Sequence, residues 1–160
     1  MSIQLETLSL EHLTVLRGKN LSDLVHSLAG AVPSLFHFQK FENRGFIANL
    51  GSEEFLINLA DFHRDQLASD QYAFQRGDVV ISISGQWREL MSEVCIYDFR
   101  QACPGEFLMV LVAGVSVWML IPETTETLIM GCDPTYGHYL FETLENQKNT
   151  SPFLNYGVQK

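Results

Sequence analysis

Apolar and polar positions along the chain change their period several times, and each change marks an element. The second half is the clearest. Gly77-Asp78 opens the run Val79-Val80-Ile81-Ser82-Ile83, which predicts a strand. Ser84 stands where a helix cap is expected. Beyond it Trp87, Leu90, Met91 and Val94 fall at i, i+3, i+4 and i+7, one buried stripe, with Arg88, Glu89, Ser92 and Glu93 on the wet side. After Cys103-Pro104-Gly105, two β-rich runs, 107–113 and 115–121, meet at Ala113-Gly114, a pair suited to a tight reversal. Residues 127–132 predict a third strand. Thr135 is the expected cap of a last helix, with Tyr136, Tyr139, Leu140 and Leu144 facing inward. From Ile81 to Glu145 the order is therefore strand, helix, three strands, helix.

The first half carries weaker versions of the same signals. Residues 1–18 alternate around Leu5, Leu8, Leu10, Leu13, Val15 and Leu16, predicting an extended arm able to pair as a strand. Asn20 or Ser22 caps a short helix carrying Leu21, Leu24, Val25 and Leu28, stopped at Gly30. Leu35, Phe36, Phe38 and Phe41 suggest a strand, Glu42-Asn43-Arg44-Gly45 a turn, and 46–50 and 54–59 two further strands. A short helix around His63 to Leu67 precedes a polar, Gln-rich stretch. Each half thus offers paired strands and an amphipathic helix, without an exact sequence repeat. Residues 1–145 read as a single domain, best supported over 46–145, and the polar residues 146–160, with Pro152, as a C-terminal tail.

Composition narrows the function classes. At 160 residues, 46% apolar and 11% aromatic, the chain can fill a core. Ten basic against nineteen acidic residues leave a formal charge of −9 and no basic run, which disfavours nucleic acid as a partner. The longest apolar stretch, 107–121, is broken by Gly114 and Ser116 and is too short for a membrane span. The first residues lack the features of a signal peptide. Cys95, Cys103 and Cys132 form no CxxC, and an odd count suits a reducing compartment, so the expected location is cytoplasmic.

Candidate chemistry is sparse. His12, His26, His37, His63 and His138 are scattered, with no HxH or HExxH spacing, so no metal ligand set is expected. His63-Arg64-Asp65 reads as a solvated turn. Ser84-Gly85 follows a strand and opens a helix, as a nucleophile elbow does, but position 82 is Ser where that motif needs Gly, and capping explains Ser84. Asp98 is expected to fix a turn or meet Arg100. Trp87 belongs to the core. Trp118, in the middle of a strand, marks an interface if its face is left open. The cysteines resemble small core residues, with Cys103 the one expected at the surface. No catalytic, cofactor-binding or metal residue is assigned.

Several of these blocks stand in the order and spacing of one family. Leu50-Gly51-Ser52-Glu53-Glu54-Phe55-Leu56-Ile57 is followed by Ile83-Ser84-Gly85. A helix then ends in Val94-Cys95-Ile96-Tyr97-Asp98-Phe99, and Cys103-Pro104-Gly105 and Leu111-Val112-Ala113-Gly114-Val115-Ser116-Val117 come after it. Over residues 46–145 the chain resembles the gamma subunit of heterotetrameric sarcosine oxidase, within the superfamily of folate-binding domains that includes the glycine-cleavage T-protein. The resemblance implies an α+β fold of two β-β-α-β-β-β-α-like halves with mainly antiparallel sheets. It also implies a small accessory subunit beside larger flavin-bearing and folate-handling subunits of an oxidase acting on an N-methyl amino acid. The enzymatic T-proteins carry a catalytic Asp shortly before the strand leading to Ser-Gly. Ala73 takes that place here, with Asp70 near but out of register. Their folate-holding Glu lies in a Gly-Glu-x-Gly-x-Glu run. The matching Glu123-Thr124-Thr125-Glu126-Thr127-Leu128 lacks the glycines and puts Leu128 at the acidic place, leaving Glu126 as a register-shifted substitute. The resemblance with these losses implies a subunit without catalysis of its own and with no cofactor of its own. A stand-alone module or homo-oligomer binding tetrahydrofolate or another small molecule is the alternative, and an aminomethyltransferase using Asp70 or Glu126 the second.

Overall fold

The computed structural model describes residues 2–51, 53–123, 127–152 and 154. The chain divides into two compact units, one of residues 1–9, 78–104 and 108–160, the other of residues 10–77 and 105–107. Their strands and helices follow in the order β1 (Gln4–Leu8), β2 (Leu13–Gly18), α1 (Leu21–Ala29), β3 (Phe38–Phe41), β4 (Gly45–Gly51), β5 (Glu54–Leu59), β6 (Gln71–Gln75), β7 (Val79–Ser84), α2 (Trp87–Val94), β8 (Phe107–Val112), β9 (Val115–Leu120), β10 (Thr127–Cys132) and α3 (Pro134–Thr150), with a 3-10 turn at Arg64–Gln66.

Two five-stranded sheets result, ordered β3-β4-β5-β2-β6 and β1-β7-β10-β9-β8. The two orders are the same pattern written twice. In each, a strand–helix–three-strand run places its last strand beside its first. An edge strand is then added from the other half, because β1 pairs with β7 and β6 pairs with β2, both antiparallel. The fold is α+β with mainly antiparallel sheets, and the halves follow the expected β-β-α-β-β-β-α scheme, with the 3-10 turn in place of the first half's second helix.

In the unit built on β7, the helix-facing side of the sheet carries Ile81 and Ile83, Val117 and Met119, and Leu128, Met130 and Cys132. These close against Trp87, Leu90 and Met91 of α2 and Leu140 and Leu144 of α3. The stripe read from the sequence of α2 is thus its buried face, and Trp87 is core at 1% exposure. Each fully buried aliphatic side chain there contributes about 1.5–3 kcal/mol against its exposed state. In the other unit Leu16, Ile47, Phe55, Ile57 and Ala73 of the sheet pack with Leu21 and Val25 of α1.

Several local expectations are corrected. Ser84 ends β7, paired with Gln4 and Thr127, and the position capping α2 is Gln86, with no side-chain cap. The cap of α3 is Asp133, whose Oδ1 accepts from Thr135 N at 2.9 Å and from Thr135 Oγ1 at 2.6 Å; Thr135 is the donor, not the cap. The inner face of α3 is Gly137, Leu140 and Leu144, whereas Tyr136 and Tyr139 are exposed. The Gln-rich stretch 71–75 is a strand, held by β2. The helix α3 runs to Thr150, past the expected start of the tail. Glu93 of α2 accepts hydrogen bonds from Gln147 and Ser151, which fastens that end of α3. Asn20 does cap α1, by a left-handed backbone and without a side-chain bond, and Gly30 ends that helix at φ 77°.

Candidate functional site

The two places where the resemblance puts carboxylates are core positions. Ala73 lies in β6 opposite Leu16 and packs among Phe55, Ile57 and Leu21. Leu128 lies in β10 opposite Ile83 and is fully buried beneath the helices of its unit. A carboxylate at either would have to shed its water without a partner, which is strongly unfavourable. Asp70 is exposed in the turn before β6, where its backbone carbonyl accepts from Lys19 N at 3.4 Å. Glu126 lies outside the described residues.

The other sequence candidates fall into structural roles. The five histidines lie apart, His37 half-buried and the other four exposed. His37 Nδ1 sits 2.9 Å from the Leu35 carbonyl, and His138 lies 3.3 Å from Glu142 on α3. Among the described residues no cluster of three or more His, Cys, Asp or Glu side chains could hold a metal ion. Of His63-Arg64-Asp65, His63 caps the exposed 3-10 turn Arg64–Gln66 and the other two open it, with Gln66 Oε1 accepting from His63 N. Cys95 and Cys132 are buried and Cys103 is exposed. Burial first, then the charges of Asp78 and Asp133, push the Cys132 thiol above its ordinary range.

Trp118 is 6% exposed, so it is not an open interface residue. Its indole lies on Gly131, its partner across β9 and β10, and Nε1 donates to Asp78 Oδ2 at 2.8 Å. Reading the sequence alone missed this arrangement. Its trace was the glycine inside an otherwise apolar strand, which marks a close approach.

Hollows on the surface of the described residues include the following. One of about 150 Å³ lies among Glu11, His12, Thr14, Phe62, Arg64 and Gln75. A second, about 260 Å³, is lined by Val15, Arg17, Phe74 and Arg76 on β2 and β6 and beyond, with Arg17 bonded to Glu54 at 3.1 Å. The third and most apolar is a groove of about 490 Å³. One wall is Val110 and Leu111 of β8; the other is the segment after α2, with Cys95, Ile96, Tyr97, Asp98 and Gln101. Asp98 shapes that wall. Its carboxylate accepts from Arg100 Nε and Nη2, both at 2.8 Å, and from the Arg100 backbone N at 3.1 Å. The Arg100 side-chain bonds, then its backbone N–H, lower the Asp98 pKa to about 2. The same pair raises the guanidinium. Asp98 thus fixes a turn, as its sequence position suggests. Ile96 beside it is fully exposed, and Met109 and Leu111 are 64% and 58% exposed.

The first hollow holds a carboxylate, an imidazole and a hydroxyl in Glu11, His12 and Thr14, with the Thr14 hydroxyl donating to the His12 backbone carbonyl at 3.1 Å; the groove beside β8 holds no histidine. Among the described residues no helix is long and apolar enough to cross a membrane.

Neither a protein-family model nor a curated protein matches the chain. Solved structures do. A chain of the heterotetrameric sarcosine oxidase from Corynebacterium sp. U-96, in complex with pyrrole 2-carboxylate, superposes with a TM-score of 0.75 at 13% identity. The match covers 92% of this chain and 84% of that one. The glycine cleavage system aminomethyltransferase T from Bartonella henselae superposes with a TM-score of 0.67 at 9% identity, over 89% of this chain and 45% of that one. At such identities the likeness reaches the fold alone: the chain has the T-protein-like α+β fold.

Proposed function

We propose that the chain is a non-catalytic accessory subunit resembling the sarcosine oxidase gamma chain, supporting the folate-handling part of a flavin-dependent N-methyl amino acid oxidase. The observation that carries this reading is the burial of Ala73 and Leu128 in apolar cores, where the resemblance calls for the carboxylates of an aminomethyl transferase. The near end-to-end match with a chain of a heterotetrameric oxidase supports it, since both chains are used almost whole. Isolation of the tagged chain from its native cells, followed by size exclusion and mass identification, tests it. Stoichiometric co-elution with flavin-bearing subunits is the expected result. Elution of the chain alone, or sarcosine demethylation by the purified chain alone, would refute the reading.

A second reading, a stand-alone tetrahydrofolate or small-molecule binding module, draws on the hollow between Arg17, Phe74 and Arg76, which sets guanidinium groups beside an aromatic ring. Calorimetric titration of the isolated chain with tetrahydrofolate tests it. Absence of saturable heat at millimolar ligand removes it.

A further inference from the structure

We infer that β6 pairs antiparallel with β6 of a second copy of this chain, joining two five-stranded sheets into one across a two-fold axis at Ala73. The inference goes beyond the accessory reading and does not rest on it, since such an edge joins two free chains or two complexes alike.

β6 is the last strand of its sheet, and among the described residues it pairs with β2 alone. Arg76 N, just past the strand, donates to Leu13 O at 2.8 Å. Backbone groups alternate between the two edges of a strand, so Tyr72 and Phe74 turn theirs to β2 as well, and Gln71, Ala73 and Gln75 turn theirs outward. Gln71 N is taken by Ala68 O at 3.1 Å. Among the described residues no hydrogen bond reaches the outward backbone groups of Ala73 and Gln75. Backbone groups are left so where water or another chain meets them. Beside them Tyr72 and Phe74 are 57% and 54% exposed. The strand is fixed before any partner arrives, because Gln71 Nε2 donates to Lys19 O at 2.7 Å and Gln75 Nε2 to Glu11 O at 3.2 Å. Such fixing lowers the cost of ordering an added strand. β1 and β3 also end their sheets, but they carry Glu6 and Lys40, charges of the kind that guard an edge. Residues 71–75 carry no charge, proline or bulge.

The strand selects its own copy as the occupant. Residues 70–76 read Asp-Gln-Tyr-Ala-Phe-Gln-Arg, the same order of charge, amide and ring from either end, with the charge reversed. A two-fold interface needs self-complementarity of this kind. With Ala73 laid antiparallel on the other copy's Ala73, each Gln71 stands opposite Gln75 and each Tyr72 opposite Phe74. The outward N–H of Ala73 then meets the other Ala73 carbonyl, and that of Gln75 the other Gln71 carbonyl. The Tyr72–Phe74 pairs are of the kind without main-chain bonds, in which side chains stand closest. Asp70 falls opposite Arg76 at both ends, whereas parallel pairing sets Asp70 on Asp70 and Arg76 on Arg76. These exposed charges decide the direction of pairing more than its strength. Each copy carries a formal charge of −9, and an edge of five residues covers less than the about 800 Å² per partner of a standard interface, so the dimer is reversible.

The test uses the purified full chain. Sedimentation velocity over a range of concentrations is expected to show a monomer–dimer equilibrium, weakened at least tenfold in Phe74→Glu with an unchanged far-ultraviolet dichroism spectrum. Phe74 is more than half exposed and stands outside the apolar core, so its replacement leaves the fold intact. Register is read by mixing Tyr72→Cys with Phe74→Cys, each in a Cys103→Ser background that removes the exposed native thiol. Paired residues of this kind have Cα atoms about 4.5 Å apart, within reach of a disulfide. Mild oxidation is therefore expected to link the mixed chains at least tenfold faster than either variant alone. Wild-type chain that stays monomeric at every concentration overturns the inference. A dimer that the mixture fails to link, or links no faster than either variant alone, overturns it as well. Each of these results leaves the accessory reading standing, since that reading is decided by co-elution with flavin-bearing subunits.

Discussion

Replacing Gly131 with alanine tests the packing that the sequence concealed. Gly131 is not in the left-handed region, so an alanine is free to adopt its backbone and only space is at issue. An added Cβ would stand 2.6 Å from Trp118 Nε1 and nearer still to Cε2 and Cζ2 of the same ring. Ordinary contact needs about 3.5–4.0 Å, so the indole must lift by about 1 Å or more. Lifting it stretches the 2.8 Å bond from Nε1 to Asp78 Oδ2. Overpacking costs about 1–3 kcal/mol, and a weakened hydrogen bond to a carboxylate about 1.5–3 kcal/mol. Replacing a strand glycine by alanine returns about 0.5–1 kcal/mol of chain entropy. The net expectation is a loss of about 1.5–5.5 kcal/mol, read by urea titration followed by far-ultraviolet dichroism. The decisive comparison is the same substitution in a Trp118→Leu background. With the indole gone, Gly131→Ala is expected to be neutral or slightly stabilising. Equal losses in both backgrounds would show that Trp118 is not what the glycine makes room for, and the reasoning would fail.

Gly137→Ala places a Cβ 2.7 Å from Val79 Cβ and 2.9 Å from Val79 Cγ1. A loss of about 1–3 kcal/mol is expected despite the gain in helix propensity, and Val79→Ala is expected to relieve most of it in the same urea titration. Ala73→Asp, which restores the acid expected of a transferase, is expected to destabilise by about 3 kcal/mol or more and to confer no one-carbon transfer, read by denaturation and by activity of the purified chain. The Asp98 carboxyl is expected to titrate by NMR at about 2, and to return toward 3.8 in Arg100→Gln. Because its folded pKa is lowered, the turn it braces is fully stabilised above about pH 4 and loses that support as pH falls toward 2. A thiol reagent is expected to modify Cys103 within minutes in the native protein, with Cys95 and Cys132 reacting only on unfolding; rapid modification of all three would contradict their burial.

The parts legible in the sequence were those whose pattern is local and repeated. The stripe Trp87, Leu90, Met91, Val94 gave α2, and Ala113-Gly114, at φ 48° and 82°, gave the reversal between β8 and β9. The stretch 71–75 was not legible as a strand, because its large Tyr72 and Phe74 lie on the exposed side while the core side carries only the small Ala73 between Gln71 and Gln75. Tyr136 and Tyr139 were misplaced because size was taken for burial. α3 meets β7 through Gly137, where the absence of a side chain permits the contact, and the large tyrosines fall beside that line. Capping failed for a related reason: Ser84 has the right chemistry, but two more residues pass before the helix begins. The candidate groove was hidden because its walls, 95–101 and 110–111, are brought together by the return of β8 along the sheet edge. Its exposed Met109 and Leu111 look like core residues until the strand is known to be an edge.

The exchange of edge strands between the two halves has a consequence for synthesis on the ribosome. Gln4 to Leu8 leave the exit tunnel before the other strands described, yet their hydrogen-bonding partners are Ser84 to Val80, made only after the whole of the other sheet's sequence. The first strand must stay extended and unpaired while the chain behind it completes β2, α1, β3, β4, β5 and β6. Closing so long a loop is slow, and the delay leaves an unsatisfied strand open to misplaced partners. Nascent chains ending before Val79 are therefore expected to be the species that chaperones hold. β1, though translated well before β7, enters its sheet only once β7 has been made.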